Sequence, residues 1–565
     1  MSLIFTPGGM LNVACDASDL PESGDATNSI SDAMVRCKNL RINQKGVAKT
    51  RDGSAKLNET ATNSPVWWIE EQGGTRYAFA GGSIYADEVE IESSLTPAQW
   101  SAIQYNAFND TTESVFALNG TDRKRIADST VYEWGLEAPT ISPALSAGSA
   151  TGLTGDYRAK YTYVRKVDGV TVAESNPSPV SALITLADTK LTVSITQPTD
   201  SQVTHIRLYR TAAGGVLYNL DQDIAVGTTS FTSSAADSAL GDELETDHDR
   251  PPLGSFVTGP AFDGTCFIIL DNRLYYCKPK QPEYWPALYY IEVGPLQFPG
   301  RCVVFHNGQP FYLSTNEIYY IQGTGAGTFF PLPMKSKTGA QSARGAVSVA
   351  GKGIYHTGPD GIYLFSSGTD TKVTEDNLEP LFRGESVQGM PAVADMTSSW
   401  LHVFRNHLYF GYRSSGDTWP VNVLVMNLET MRTSFYEYGF EISAIATDET
   451  NKRLLTGDLT GFVRVIENPT YTDDSGTAIE YEVQSKDFTL QTRKHFPRWV
   501  KYDVDASAAD TCTGALILED AVHASHPITG NRQTRRRLVE VGNGNRAAIR
   551  ISGTGPVSIY AAESE

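Results

Sequence analysis

The chain has little cysteine, and the cysteines it has follow no recognisable spacing. Six occur in 565 residues, at positions 15, 37, 266, 277, 302 and 512, with no C-x-x-C pair. This pattern argues against a disulfide framework and against a zinc module of the usual cysteine spacing. We therefore predict buried, reduced thiols in a protein assembled in a bacterial-type cytoplasm.

Positive charge is also scarce. The chain carries 46 Lys and Arg residues against 65 Asp and Glu residues, a formal net charge of −19. Nucleic-acid affinity comes mainly from Lys and Arg neutralising phosphates, so this chain is a poor candidate for gripping DNA or RNA. Two interpretations of the negative charge stay open. It either keeps the protein soluble, or it forms a surface along which DNA moves without binding.

Long apolar runs and long amphipathic helices are missing as well. No stretch of about 18 apolar residues occurs, and the N-terminal MSLIFTPGGMLNVAC has no basic region before its broken apolar stretch. We predict neither a membrane-spanning helix nor a secretory signal. The chain is rich instead in tyrosine, phenylalanine and glycine, with 27, 22 and 49 copies, which favours strands and tight turns.

Short β-rich runs alternate with turn signals along most of the chain. Seven marked turn centres recur, at Gly81-Gly82, Asn119-Gly120, Asp271-Asn272, Asn307-Gly308, Lys352, Asn406 and Asn451. Most of these residues tolerate the positive φ of tight hairpins. Their recurrence, roughly every 40 to 50 residues, matches four-stranded propeller blades. The sequence predicts an all-β fold containing a β-propeller of six or seven blades.

The repeat fails between residues 121 and 260, where a second domain is predicted. Strand alternation there, as in AKYTYVRKV, places Tyr161 and Tyr163 on one face of a small β-sandwich. The predicted domains are an extended N-terminal arm at 1–60, first propeller blades at 61–138, an inserted Ig or fibronectin-III-like β-sandwich at 139–250, remaining blades at 251–468, and a C-terminal β-sandwich-like domain at 469–565.

No motif in the chain predicts catalysis. GTGAGT at 323–328 is glycine-rich but precedes no helix, so it is predicted to be a turn rather than a phosphate cradle. SSGDTW at 414–419 lacks the glycine of a sialidase box, and no G-x-S-x-G elbow occurs. We predict no catalytic, cofactor-binding or metal-binding residue.

Histidines and paired acids also lack the spacing of a metal site. The candidates considered are His402 with His407, His523 and His526 with His495, Asp247-His248-Asp249, and Asp473-Asp474. Spacing places no third ligand beside either histidine set, and the aspartate pair lacks the alternating ligands of a calcium loop. We interpret the histidines as surface residues, 247–249 as a charged linker and 473–474 as a turn.

Three basic clusters interrupt the acidic background: Arg123-Lys124-Arg125, Arg493-Lys494 and Arg535-Arg536-Arg537. Each is either a solvated strand edge that discourages aggregation or a docking site for an acidic neighbour. In RRRLVEV, Arg537 shares one strand face with Val539, and Arg536 shares the other with Leu538. We therefore expect at least one of these arginines to approach a covered surface.

Residues 273–291, RLYYCKPKQPEYWPALYYI, are unusually aromatic and too proline-rich for a helix. Tyr275, Tyr276, Trp285, Tyr289 and Tyr290 can hold one blade against the next with few rotatable bonds. The prolines at 279, 282 and 286 pre-set the path of the connection. Peptide-binding or glycan-stacking rings are the alternative.

Several of these segments together resemble one protein family. MVRCKNLRINQKGVAKTRDGSAKLN at 34–58, SVFALNGTDRKRIADSTVYEWGLEAP at 114–139, AESNPSP with IRLYRTAAGG in the insert, and the 273–291 stretch followed by GPLQFPG resemble the nozzle proteins of short-tailed, podovirus-like bacteriophages. These are also called tail tubular or tail accessory proteins. The chain departs from the pattern at Cys277, where the family commonly has serine.

The resemblance implies a structural virion protein and supplies no catalytic residue. It implies a homohexameric ring at the distal end of the phage tail, assembled in the host cytoplasm. Implied partners are an adaptor or portal-side ring, a tail fibre, spike or needle protein, and double-stranded DNA that passes through the gated lumen without specific binding. The host outer surface is a further candidate partner. The alternative function is a propeller-type tail protein that binds or hydrolyses glycans.

Overall fold

The computed structural model describes residues 2–24, 28–107, 110–149, 151–233, 235–261, 263–325, 327–489, 494–532, 534–538 and 542–565. In these ranges the chain is almost entirely strand and turn. Helix is limited to one α-helix, α1 (Glu379–Phe382), and one 3-10 turn (Asp237–Ala239). No helix in these ranges has the length and apolar character needed to cross a membrane.

The N-terminal sixty residues form seven short strands: β1 (Ser2–Phe5), β2 (Ser23–Gly24), β3 (Asn28–Ser31), β4 (Met34–Lys38), β5 (Leu40–Ile42), β6 (Ala48–Thr50) and β7 (Gly53–Lys56). Four of them, β1, β4, β6 and β7, pair with strands from the last third of the chain, and β2, β3 and β5 pair with other N-terminal strands. The predicted arm is therefore built into sheets along most of its length.

Two four-stranded sheets follow in simple antiparallel order. Blade 1 consists of β8 (Val66–Gln72), β9 (Thr75–Ala80), β10 (Ser83–Ala86) and β11 (Val89–Glu92); blade 2 consists of β12 (Ser101–Tyr105), β13 (Ser114–Leu118), β14 (Arg123–Ala127) and β15 (Thr130–Glu133). Alternating side chains and tight turns give each blade its pleated, twisted form.

An inserted β-sandwich comes next. Its strands are β16 (Ala144–Ala147), β17 (Leu153–Tyr157), β18 (Ala159–Val167), β19 (Val170–Glu174), β20 (Ile184–Thr189), β21 (Leu191–Ser194), β22 (His205–Arg210), β23 (Asn219–Ala225) and β24 (Ser230–Ser233). The sheet β19-β18-β22-β23 and the shorter sheets β16-β21-β24 and β17-β20 enclose one core. Tyr161 is fully buried in that core, and Tyr163 packs against it on the same face.

Five further sheets complete the repeated part of the chain. Blade 3 consists of β25 (Phe256–Thr258), β26 (Phe267–Leu270), β27 (Arg273–Tyr276) and β28 (Tyr290–Glu292), and blade 4 of β29 (Gly300–His306), β30 (Gln309–Ser314), β31 (Ile318–Gln322) and β32 (Phe330–Pro333). Blade 5 consists of β33 (Ala346–Val349), β34 (Gly353–Gly358), β35 (Gly361–Ser366) and β36 (Thr369–Lys372), and blade 6 of β37 (Asp395–Phe404), β38 (His407–Arg413), β39 (Asn422–Asn427) and β40 (Thr433–Glu437). Blade 7 contains β41 (Ile442–Asp448), β42 (Arg453–Asp458) and β43 (Val463–Asn468). The N-terminal strand β7 pairs with β43 and supplies the fourth strand of blade 7.

The C-terminal strands form a second sandwich. They are β44 (Asp473–Asp474), β45 (Thr477–Ala478), β46 (Glu480–Ser485), β47 (Phe488–Thr489), β48 (Trp499–Asp505), β49 (Thr511–Leu518), β50 (Ala521–Pro527), β51 (Thr534–Arg537), β52 (Arg546–Thr554) and β53 (Ser558–Ser564). One sheet contains β46-β52-β49-β50, and the other contains β3-β1-β53-β48-β51. In the first sheet β4 joins β46 to β40 of blade 6, so N-terminal strands are part of both layers.

The chain divides into two compact units. One comprises Met1–Glu90, Leu313–Ile318 and Met334–Glu565, and the other comprises Ile91–Tyr312 and Tyr319–Pro333. In the first unit the innermost strands β33, β37, β41 and β8 are successive neighbours, and in the second β12, β25 and β29 are. Side-by-side packing of first strands is how propeller blades are arranged.

The fold is thus all-β, a β-propeller with an inserted β-sandwich and a C-terminal β-sandwich. In the described residues each of the seven predicted turn centres falls in a different blade, so the turns marked the blades correctly. The prediction of buried thiols is wrong at Cys15, which is exposed; the other five cysteines are free and buried.

Candidate functional site

The aromatic stretch forms joints between neighbouring blades of the second unit. The indole N–H groups of Trp134 and Trp285 both donate to the carbonyl of Pro282, at 2.8 and 2.6 Å. The two tryptophan rings meet edge to face with centroids 5.8 Å apart. Tyr276 in blade 3 meets Phe329, beside β32, edge to face at 5.0 Å. Of the five predicted rings, Trp285 and Tyr276 thus hold one blade against the next, whereas Tyr290 and Tyr289 contact the rings of Tyr275 and Tyr276 in the same blade.

Glu283 lies in the same connection and is the centre of a buried ion-pair network. Its side chain is 1% exposed. One carboxylate oxygen accepts a hydrogen bond from Arg165 of the insert at 3.0 Å and lies 3.5 Å from Arg125 of blade 2. The other oxygen accepts from the backbone N–H of Gly135 at 2.9 Å. Arg165 also donates to Asp110 at 2.7 Å, so two guanidinium groups face two carboxylates.

Burial and pairing act in opposite directions on these arginines. Desolvation lowers the pKa of Arg165, but the adjacent Glu283 and Asp110 more than offset it and raise the pKa overall. For Arg125 desolvation is stronger than the attraction of Glu283, and the pKa is lowered. Because each buried charge depends on the others, the network fixes the insert to blades 2 and 3 in a single arrangement.

An open cleft of about 600 Å³ lies between the edge of blade 2 and the insert. Its walls are polar and include Tyr132, Glu133, Tyr163, Asp200 and Arg250. Glu133 accepts hydrogen bonds from Lys124 at 2.6 Å and from Arg250 at 2.7 Å. Burial raises the pKa of Glu133, but these two cations lower it below its usual range.

Glu133 does not suit the role of proton donor in glycoside hydrolysis. That chemistry needs one carboxylic acid whose pKa is raised, opposite an ionised carboxylate, whereas Glu133 is held ionised. The rings are also engaged: Arg125 lies 4.8 Å from the ring centroid of Tyr132, and Tyr163 contacts Tyr161 edge to face and donates to the carbonyl of Thr196. The cleft can bind a polar ligand through charge and hydrogen bonds.

One group of potential metal ligands occurs in the described residues: Glu245, Asp247 and His248. The Lys278 ammonium donates to Glu245 at 2.9 Å and to Asp247 at 2.6 Å. His248 contacts Glu245 at 3.0 Å and stacks on Tyr284 with centroids 4.2 Å apart. Burial lowers the pKa of Lys278, but its two carboxylate partners raise it overall. Lys278 thus supplies the positive charge that balances Glu245 and Asp247. The prediction of a charged linker at 247–249 did not include this lysine.

Arg344 joins neighbouring blades of the first unit by hydrogen bonds, and no sequence pattern predicted this role. Its guanidinium donates to the carbonyls of Ser443 at 2.7 Å and of Trp67, on the innermost strands of blades 7 and 1. Its own carbonyl accepts from the N–H of Leu401 in blade 6 at 2.9 Å. Desolvation lowers the pKa of Arg344 to about 10. The side chain thus links the innermost strands of blades 7 and 1, and a lone arginine in a loop gives no signal of such a role.

The comparisons with known proteins concern the fold only. No family model and no curated protein matches the chain. Among solved structures it is similar to the computationally designed Ika8 protein, at 9% identity and a TM-score of 0.33, covering 74% of this chain and 99% of that one. The C-terminal WD40 domain of Sif2 matches at 8% identity and 0.31, with 74% and 99% covered. PorZ of Porphyromonas gingivalis, a surface component of the type-IX secretion system, matches at 9% and 0.30, with 86% and 46% covered.

The other candidates from the sequence do not assemble into a site. His495 is buried against Ser564 at 2.9 Å, so it is not the surface residue that was predicted. His402 is half-buried and contacts Thr447 at 2.7 Å. The prediction of a turn at 473–474 is wrong by two residues, because these aspartates form the first strand of a short hairpin whose turn is at 475–476. Asp474 accepts a bidentate pair of hydrogen bonds from buried Arg51 at 3.1 and 2.5 Å. Residues 323–325 and 327–328 form a loop and turn.

The basic clusters differ from one another in their surroundings. Arg123 donates to the carbonyl of Pro251, and Lys124 and Arg125 belong to the ion pairs already described. In contrast, Arg535, Arg536 and Arg537 are all exposed. The expectation that one of them approaches a covered surface is wrong, because β51 is the last strand of its sheet. Arg493 and Val539 lie outside the described residues.

Proposed function

We propose that this chain is a structural subunit of a short bacteriophage tail, forming its distal nozzle as a homohexameric ring. In this role it attaches to an adaptor ring, holds fibres, spikes or a needle, and gates the passage of DNA. Its place is the virion, and it has no enzymatic activity.

The observation that carries this proposal is where the family-like segments lie in the fold. The segment 34–58 contains β4 and β7, which tie the N-terminal region to blades 6 and 7. The segments 114–139 and 273–291 contribute Arg125 and Glu283 to the buried network. Residues that resemble the nozzle family therefore form structural joints, which is what a load-carrying ring subunit needs.

Charge supports a passive path for DNA. Six acidic chains repel phosphates and let the genome slide, whereas a basic lumen would retain it. In the proposed ring the DNA path lies on the axis, between the six subunits.

The test is the native mass of the purified full-length chain, with and without its adaptor ring, combined with negative-stain images. A mass of about six chains and ring-shaped particles with an axial opening are expected. A chain that stays monomeric even with the adaptor, or a trimer that cleaves polysaccharide, would contradict the proposal.

The cleft beside blade 2 favours a second candidate, a tail protein that binds glycans. Its volume and its Lys124, Glu133 and Arg250 groups suit a polar or charged saccharide. Glycan-array binding by the wild-type chain that is lost in Arg250→Ala, and kept in the exposed control Arg273→Ala, would support this function.

A further inference from the structure

Two strands at free sheet edges carry opposite charge. The outermost strand of blade 1, β11, follows Asp87 and Glu88 and contains Glu90 and Glu92. The last strand of a C-terminal sheet, β51, contains three consecutive arginines at 535–537. Each strand pairs on one side only in the described residues. The other backbone edge of such a strand is a template for pairing with a further chain.

All three arginines of β51 are exposed, and one of them is paired within the chain. Arg535 contacts Glu565 at 3.1 Å and lies over Trp499, 4.5 Å from the ring centroid. Arg536 and Arg537 form no ion pair with a carboxylate of the described residues. In the register with β48, Arg535 lies opposite Lys501 and Arg537 opposite Trp499. One face of this edge therefore presents Lys501, Arg535 and Arg537, with Glu563 opposite Lys501 on the next strand and Glu565 beside Arg535.

The acidic edge has the matching period. Glu90 and Glu92 are two residues apart, so they share one face of β11, as Arg535 and Arg537 do on β51. Glu90 is exposed and forms no ion pair among the described residues. Glu92 contacts Lys124 at 3.4 Å, but the same lysine is closer to Glu133, at 2.6 Å.

Other outer strands that carry acidic residues hold them in pairs within the chain. Glu133 of β15 is bound by Lys124 and Arg250. Glu292 of β28 lies 3.2 Å from Arg273, and Asp370 of β36 lies 3.0 Å from His356 inside its blade. Among these edges, β11 best fits a basic strand from outside.

We propose that β51 of one subunit pairs with β11 of a second copy of this chain, Arg535 and Arg537 facing Glu90 and Glu92. Cross-strand pairs of opposite charge set the register, and the backbone hydrogen bonds continue the sheet. The two surfaces differ, so the contact is head to tail, the type that closes into a ring when the rotation permits. This inference rests on the proposed hexamer and supplies its subunit interface.

The test is a charge swap in the full-length chain. Arg535→Glu with Arg537→Glu, and separately Glu90→Lys with Glu92→Lys, should each weaken self-association at least about tenfold, because attraction becomes repulsion. Mixing the two variant chains should produce complexes, since both edges of one variant are then acidic and both edges of the other are basic. The matched controls are Lys45→Glu and Glu292→Lys, two charge reversals at exposed residues. Both variant chains should assemble as wild type does.

The measurements are native mass spectrometry and sedimentation velocity at low and high salt. Wild-type assembly should weaken as salt rises, because exposed charges are screened. Circular dichroism checks that each variant is folded; should a reversal fail to fold, the neutral pair Arg535→Gln with Arg537→Gln replaces it. A wild-type hexamer unaffected by either set of substitutions overturns the strand pairing but not the nozzle. A wild-type chain that is monomeric even with the adaptor ring overturns both.

Discussion

Arg165 of the inserted sandwich donates a hydrogen bond to Glu283 of the aromatic connection across 3.0 Å. The two residues are 118 positions apart in the chain, and both are buried. This pair, together with Arg125 and Asp110, makes the insert a fixed part of its unit rather than a tethered module.

Removing the Glu283 carboxylate should release the insert. In Glu283→Gln the guanidinium groups of Arg165 and Arg125 lose a common counter-charge, and breaking a buried pair costs ~3–5 kcal/mol. Chemical denaturation followed by tryptophan fluorescence should show an earlier transition, and limited proteolysis should free the insert. Glu292→Gln, on an exposed strand, is the control and should change stability by less than ~0.5 kcal/mol. Equal midpoints for the two variants would show that the network does not hold the insert.

Gly411 should tolerate no side chain, because its strand lies directly against a tryptophan. A Cβ at this position would come within 2.0 Å of the Trp400 ring. We expect Gly411→Ala to destabilise the first unit by ~1–3 kcal/mol through overpacking, as measured by thermal unfolding. The control is Gly439→Ala, where a Cβ meets no atom within 4 Å. A melting temperature for Gly411→Ala equal to that of the control would disprove this packing.

The buried His495 should make stability depend on pH. Burial lowers its pKa to about 4, from ~6.5 in an unfolded chain. The unfolded state therefore binds the proton more tightly than the folded state does. Above pH ~6.5 the histidine is neutral in both states and stability is highest; as the pH falls toward 4, protonation of the unfolded chain lowers the free energy of unfolding. The lost stability amounts to ~3 kcal/mol.

The measurement compares wild type with His495→Gln. Their difference in unfolding free energy should change between pH 7 and pH 4, and the variant should lose less stability over that range because glutamine does not titrate. Parallel pH curves for the two proteins would contradict the assignment.

Lys278 should determine whether the Glu245 cluster binds metal. The Lys278→Ala substitution removes the ammonium group that now pairs with Glu245 and Asp247. Together with His248 these residues offer three protein ligands, the number found in zinc sites whose fourth ligand is water. Isothermal titration should detect one zinc per variant chain and none for wild type. The double variant Glu245→Gln with Lys278→Ala is the control and should bind no zinc. Zinc binding by wild type equal to that of Lys278→Ala would show that the lysine does not occupy this position.

Hairpins were the most predictable part of the fold, for a local reason. Asn307 and Gly308 both adopt positive φ between β29 and β30, as their residue types predict. The Glu283 network could not be predicted, because no local pattern relates this residue to Arg165. The exposed arginines of β51 were misjudged for a similar reason: alternation gives the faces of a strand, but not whether another strand lies beside it.

By itself the sequence determined the β-rich content, the number of hairpin repeats and the position of the insert, since these depend on turn chemistry and alternation over a few residues. Only the tertiary structure decided that β7 completes blade 7 and that Glu283, Arg165 and Arg125 share one buried site. Strand pairing and ion pairing across hundreds of residues depend on which surfaces the folded chain brings together. A charged residue in a sequence looks the same whether it will face water or a buried partner.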